Sequence, residues 1–187
     1  MGLAELARRA AAASGLIVAV VGPECSGKTT LAMQLASRLD APCLPEFARG
    51  YLAGRADYTE AYLEQIARGQ LAAEIALVGA NHPITVLDTD LIVIHVWWQE
   101  KYGQVPAWVA EHIRQQAPRE YLLAKPDLPW QPDPQRESPT DRDRLFGVYQ
   151  ATLDAYGYPY TEIEGEGEAR YQLAEAAVRE QTGRSRS

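Results

Sequence analysis

The residues best suited to chemistry are Gly22-Pro23-Glu24-Cys25-Ser26-Gly27-Lys28-Thr29-Thr30, which satisfy the spacing G-x-x-x-x-G-K-[ST]. Glycines let backbone N–H groups close around phosphate oxygens at a helix N-terminus, a lysine reaches the β and γ oxygens, and a hydroxyl at Thr29 is a ligand for Mg2+. All nine residues are therefore expected to bind ATP phosphates, with Lys28 also a catalytic group. A glycine-rich turn that merely matches the spacing is the bland alternative. It loses on context, because an apolar run precedes the motif and a helical pattern follows it.

Carboxylates come next. Asp88 and Asp90 end a short apolar run, the place where an enzyme with such a loop keeps the carboxylate that holds magnesium, usually through water. Asp88, with Thr29, is the metal candidate. For Asp90, capping the following helix and a functional role stand level. Glu46 closes an earlier run and Arg49 follows three residues later, so a helical turn would bring both to one face. Glu46 is then a base for an attacking hydroxyl, and Arg49 a group that orients it or steadies the phosphoryl group. A surface ion pair is the competing reading.

Arg136, Arg142 and Arg144 alternate with acids in a proline-rich stretch; they are either a solvated helix start or arginines of a lid that covers ATP. Tyr51 and Trp130 are candidates to stack on a planar ring, while Trp97, Trp98 and Trp108 read as core. His82, His95 and His112 lack ligand spacing and read as structural.

These groups need a scaffold that gathers them. Leu16 to Val21 is a continuous β-branched run, as in a parallel strand buried on both faces, and Leu31, Leu35 and Leu39 give the next segment a helical period. Further strands are predicted at Pro42 to Pro45, Ile84 to Leu87, Tyr121 to Ala124 and Tyr158 to Ile163. Helices are predicted at Tyr58 to Ala80, Asp90 to Lys101, Trp108 to Gln116, Asp141 to Tyr156 and Ala169 to Gln181. Strands alternating with helices of this length imply an α/β fold, a parallel sheet with helices on both faces and ligands at the carboxyl ends of its strands. Five prolines between Pro126 and Pro139 mark a surface loop of lid length, and the Arg184 to Ser187 tail is expected to lack structure.

The 187 residues fit one domain, and a net charge of -7 offers no overall positive field for a polyanion, so nucleic acid is a disfavoured partner. Cys25 and Cys43 make neither a disulfide framework nor a zinc site, which favours a reducing, cytoplasmic setting. Arg8 and Arg9 before an apolar run imitate a signal peptide, but cleavage would fall in the phosphate loop. No stretch reaches the roughly 20 apolar residues that cross a bilayer. Assembly into homo-oligomers stays open.

Taken together, the run Gly22 to Thr30, Glu46-Phe47-Ala48-Arg49, Ile66-Ala67-Arg68-Gly69-Gln70, Asp88-Thr89-Asp90, Tyr102-Gly103, and Pro126-Asp127-Leu128-Pro129-Trp130 through Arg142-Asp143-Arg144 resemble the ribosylnicotinamide kinase domain of the bacterial NAD-biosynthesis regulators. The resemblance covers about residues 16 to 180. It implies a P-loop fold of the nucleoside and nucleotide kinase type, five parallel strands in the order 2-3-1-4-5, with a lid at about 126 to 144. The implied activity is transfer of phosphate from ATP, with Mg2+, to the 5′-hydroxyl of nicotinamide riboside, which gives nicotinamide mononucleotide. On this reading Glu46, Asp88 and Asp90 face the ribose and magnesium, Gln70 and Tyr51 join the substrate contacts, Trp130 stacks near the nicotinamide, and the loop from Arg136 to Arg144 is the lid. Where the family has an acidic-glycine pair after the tryptophan, this chain has Asp133-Pro134. Only the kinase step is expected of 187 residues. A kinase for another nucleoside or vitamin, a polynucleotide 5′-kinase, and a regulatory module that binds and slowly hydrolyses ATP remain the alternatives.

Overall fold

The strand β1, Leu16–Val21, owes its form to five β-branched or small apolar residues with no room for a polar face; everything from Ile17 to Val21 is buried. The computed structural model describes residues 15–55, 58–131 and 140–184. Around β1 lie β2 (Cys43–Leu44), β3 (Ile84–Asp88), β4 (Glu120–Ala124) and β5 (Tyr160–Ile163), in one sheet of order β2-β3-β1-β4-β5 with every pairing parallel. This is the expected order. Parallel pairing puts the carboxyl ends of β1, β3 and β4 side by side at one edge, and residues 22, 88 and 124 meet there.

Seven helices are described: α1 (Lys28–Arg38), α2 (Phe47–Tyr51), α3 (Glu60–Val78), α4 (Leu91–Tyr102), α5 (Ala107–Gln115), α6 (Arg142–Tyr156) and α7 (Gly167–Arg184). The pleat of β1 separates two cores. Ile17, Ala19 and Val21 pack with Leu63, Ile66, Leu91 and Trp98 on the face covered by α3 to α6, whereas Val18 and Val20 pack with Leu31, Leu35, Ala174 and Val178 of α1 and α7 on the other. In α3 the buried positions Leu63, Ile66, Ala67, Gln70, Leu71, Glu74 and Val78 recur at three- and four-residue steps, the stripe of a helix laid on a sheet. Burial of one such leucine contributes about 1.5–3 kcal/mol.

Two boundaries differ from the sequence expectation for identifiable reasons. β2 shrinks to two residues because Pro42 and Pro45 have no N–H for the ladder. α6 ends on Gly157 in the left-handed region (φ 72), and Tyr158 N–H donates back to Leu153 O at 3.0 Å, so β5 starts at Tyr160 rather than 158. α7 runs further, from Gly167 to Arg184. Residues 132–139, which include Arg136 and Asp133-Pro134, and the tail beyond 184 lie outside the described residues. Among the described residues no helix is long and apolar enough to cross a membrane.

Candidate active site

β1 runs into a loop that only certain residues can follow. Gly22 (φ 136), Cys25 (φ 56) and Gly27 (φ 77) all sit at positive φ, and a Cβ on Gly22 would lie 2.6 Å from Ala124 O, so a side chain there would collide with β4. Ser26 is buried, with its hydroxyl donating to Pro23 O at 2.7 Å, and Lys28 Nζ donates to the same carbonyl at 2.8 Å. The loop thus forms one turn around the Pro23 carbonyl and leads straight into the N-terminus of α1.

A distant arginine braces it. Arg170 of α7 is buried; Nη2 donates to Ser26 O (2.7 Å) and Lys125 O (3.1 Å), and Nη1 donates to Asp127 Oδ1 (2.8 Å) and Gly165 O (2.9 Å). The loops that leave β1, β4 and β5 are pinned together by this one side chain. The segment after β4 then folds over the phosphate loop: Gln131 N–H donates to Cys25 Sγ at 3.1 Å, and Arg142 Nη1 donates to Cys25 O (3.3 Å) and Leu128 O (2.9 Å).

The loop opens into a cavity of about 890 Å3, which contains all nine residues of the motif. Glu46 and Arg49, at the start of α2, line it as expected. Asp88 ends β3 with a relative exposure of 2%, and its Oδ1 has no hydrogen-bond partner. Burial pushes the Asp88 carboxyl above the ordinary carboxylate range, against the pull of the Thr29 hydroxyl and the charges of Lys28 and Arg49. An orphaned carboxylate oxygen beside a threonine hydroxyl and a phosphate loop fits Mg2+, which takes few protein ligands and keeps water and phosphate for the rest. Among the described residues there is no group of three or more His, Cys, Asp or Glu able to hold a metal.

Asp90 is placed differently from its expected neighbours. Neither Asp88 nor Asp90 lines the cavity wall, but Asp90 is fully buried and its carboxylate is used within the protein. Its Oδ1 accepts the Ile92 N–H (2.9 Å), capping α4, while Oδ2 accepts the Tyr121 hydroxyl (2.7 Å) and Arg119 Nη1 (3.2 Å); Arg119 Nη2 donates to Glu74 at 2.9 Å. The capping alternative is therefore the one this geometry fills, and the remaining oxygen belongs to a buried ion pair. Asp90→Asn should destabilise the protein by about 3 kcal/mol, the low end for a broken buried pair because Glu74 still faces Arg119. A urea-denaturation midpoint equal to wild type would contradict that role.

Three further expected contacts lie off the wall. Gln70 is buried beneath α2, Tyr51 stacks on Phe47 with its hydroxyl donating to Gln65, and half-buried Trp130 has the Arg142 guanidinium 5.7 Å from its ring centre. Arg142 reaches the phosphate loop, whereas Arg144 is paired with Glu100 and Asp141. The wall instead includes Arg55, Tyr58, Trp97, Glu100 and Lys101. Trp97 Nε1 donates to the Tyr58 hydroxyl, their rings meet edge to face at 4.9 Å, and Lys101 Nζ sits 3.5 Å from the Tyr58 ring centre. A signal for this wall existed: positions 93, 97, 100 and 101 share one face of α4, and that face ends in charges rather than more apolar residues.

Residues 17–170 match the family model described as an AAA domain. No curated protein matches the sequence. Among solved structures the chain is similar to NadR protein in complex with NAD and AMP-PNP, at a TM-score of 0.78 and 27% identity over 94% of this chain and 51% of that one. It is likewise similar to NadR protein in complex with NR, at 0.78 and 26% over 94% and 53%. The chain spans about half the length of these relatives. Deoxyadenosine kinase from M. mycoides (TM-score 0.60, 10% identity, 89% of this chain and 100% of that one) shares the fold alone. So does shikimate kinase from Acinetobacter baumannii (0.54, 15%, 94% and 98%). The P-loop kinase-like fold and the likeness to the NAD-biosynthesis regulators, both expected from the sequence, are borne out.

Proposed function

The chain belongs to the AAA-domain family matched by its residues 17–170, and from that premise we propose that it is an ATP-dependent kinase that phosphorylates the 5′-hydroxyl of nicotinamide riboside. The observation that carries this reading is the continuity of one cavity from the phosphate loop to Glu46, Arg49 and the Tyr58–Trp97 corner. A donor and a planar acceptor would fit there end to end. The similarity to NadR in complex with NR supports the choice of acceptor.

In this mechanism the N–H groups of the loop and Lys28 hold the β and γ phosphates, and Lys28 neutralises charge that builds between them as the bond to the leaving oxygen lengthens. The acceptor's 5′ oxygen forms the new bond to the γ phosphorus, the bond to the β-bridging oxygen breaks, and ADP departs with the electron pair. Glu46 takes the hydroxyl proton, and Arg49 steadies the transferring group. Thr29 and Asp88 would hold Mg2+, which supplies charge neutralisation at the phosphates. Tyr58 and Trp97 offer the acceptor's ring an aromatic corner. Asp90 has no proton-transfer part here; it holds the start of α4.

A panel assay tests the proposal: purified protein with Mg-ATP and a set of nucleosides, a 5′-hydroxyl oligonucleotide, or no acceptor, with ADP release measured. Nicotinamide riboside is expected to give the fastest release. Equal release without any acceptor would point to the regulatory hydrolysing module, and faster release with another nucleoside would reassign the acceptor.

A further inference from the structure

Helix α2 is five residues long and carries both Glu46, at its N-cap, and Arg49. So short a helix cannot hold its own position, since isolated helices of this length are unstable. Beside buried Ala48 and the Tyr51–Gln65 bond, its N-terminal end rests on a two-residue platform on α3. A Cβ on Gly69 would lie 2.4 Å from two atoms of the Phe47 ring, so glycine is what lets that ring settle against α3. Next to it Gln70, 1% exposed, accepts the Phe47 N–H with Oε1 at 2.9 Å and donates from Nε2 to Thr89 O at 3.1 Å. Thr89 itself has a positive φ of 83 and sits between Asp88 and Asp90, a conformation that a residue with a β-branched side chain adopts only when its surroundings impose it.

We infer that Gln70 is a positioning residue that ties the proton-accepting end of the cavity to the turn carrying Asp88, with Gly69 as the seat that lets α2 dock. One amide side chain, buried between two backbone groups, braces the spacing between Glu46 and Asp88, beside the Glu46 N–H that itself donates to the Asp88 carboxylate. It touches neither phosphate nor acceptor. This goes beyond the proposed function while resting on it for the role of Glu46.

The test uses Gln70→Met, which keeps the length of the side chain but loses both hydrogen bonds, and Gly69→Ala, which crowds the Phe47 ring while favouring the helix it sits in. Gln70→Met should lower kcat roughly 10- to 10²-fold, the effect of misplacing a reacting group by about an ångström, with the KM for ATP within about twofold of wild type. Hydrogen exchange at the Phe47 amide should speed up to about tenfold. Gly69→Ala should lower kcat without lowering the melting temperature, which a merely structural role would not do. The double variant Glu46→Gln/Gln70→Met should be slower than Glu46→Gln by a smaller factor than Gln70→Met costs alone, because part of the amide's effect runs through that carboxylate. Unchanged exchange at Phe47, unchanged kcat, or a parallel fall of kcat, ATP affinity and melting temperature would each overturn the inference. Exchange is read without an acceptor. A wild type inactive on nicotinamide riboside would therefore sink only the choice of acceptor, and the kinetic arms would run with the acceptor that the panel identifies.

Discussion

Lys28→Ala is expected to lower phosphoryl transfer about 10³-fold, the scale on which losing one preorganised charge at a developing anion is felt. Lys28 is only half-buried, its nitrogen donates to Pro23 O at 2.8 Å, and it belongs to neither apolar core, so truncation removes no core packing. The loop keeps its shape through the positive-φ glycines, the Ser26 hydroxyl bond and the Arg170 brace. The melting temperature should therefore stay near wild type while single-turnover phosphoryl transfer collapses. A variant that turns over at near the wild-type rate would remove the loop from the chemistry.

The second large effect concerns the base. Glu46→Gln keeps the shape and hydrogen-bonding capacity of the side chain but cannot take a proton, so kcat should fall roughly 10²- to 10⁴-fold. ATP affinity should barely move, because Glu46 stands at the N-cap of α2 and not in the phosphate loop. Transfer through a loose transition state leans more on alignment than on strong base catalysis, which favours the lower end of that range. A bond lost only in the transition state lowers kcat and kcat/KM together, so a rise in acceptor KM with kcat intact would recast Glu46 as a binding residue. Measured beside it, Asp90→Asn separates the two carboxylates: it should shift the denaturation midpoint, whereas Glu46→Gln should shift the rate.

How much of this was legible in the sequence depends on the range of the interaction. The phosphate loop, the buried β1 and the order of strands and helices are local or periodic signals; residues 22 to 30, Glu46 and Arg49 line one cavity, and Asp88 ends β3 behind its wall. Asp90 was half legible. A short acid before an apolar helical run announces a cap, but its partner Arg119 comes 29 residues later and Glu74 is contributed by α3, so nothing local reveals a buried ion pair. Arg170 is further still, 144 residues from Ser26, in a helix whose sequence reads as an ordinary surface segment. Trp97 was taken for core because an apolar run shows no face; only the placement of α4 against the cavity distinguishes it from buried Trp98. Gln70 inverts the case. Its resemblance-based assignment as a substrate contact gives way to a buried amide whose two ends are both used within the protein.

If the cavity beyond Glu46 accepts a nucleoside hydroxyl, the product itself reports it. Nicotinamide riboside and a 5′-hydroxyl oligonucleotide are supplied together with Mg-ATP at physiological salt, and the phosphorylated species are resolved by mass spectrometry and ³¹P NMR. Nicotinamide mononucleotide, with phosphate on the 5′ oxygen, is expected to dominate, since a chain of net charge -7 offers a polyanion no overall attraction. A phosphorylated oligonucleotide as the main product, or ADP with neither product, would contradict that expectation.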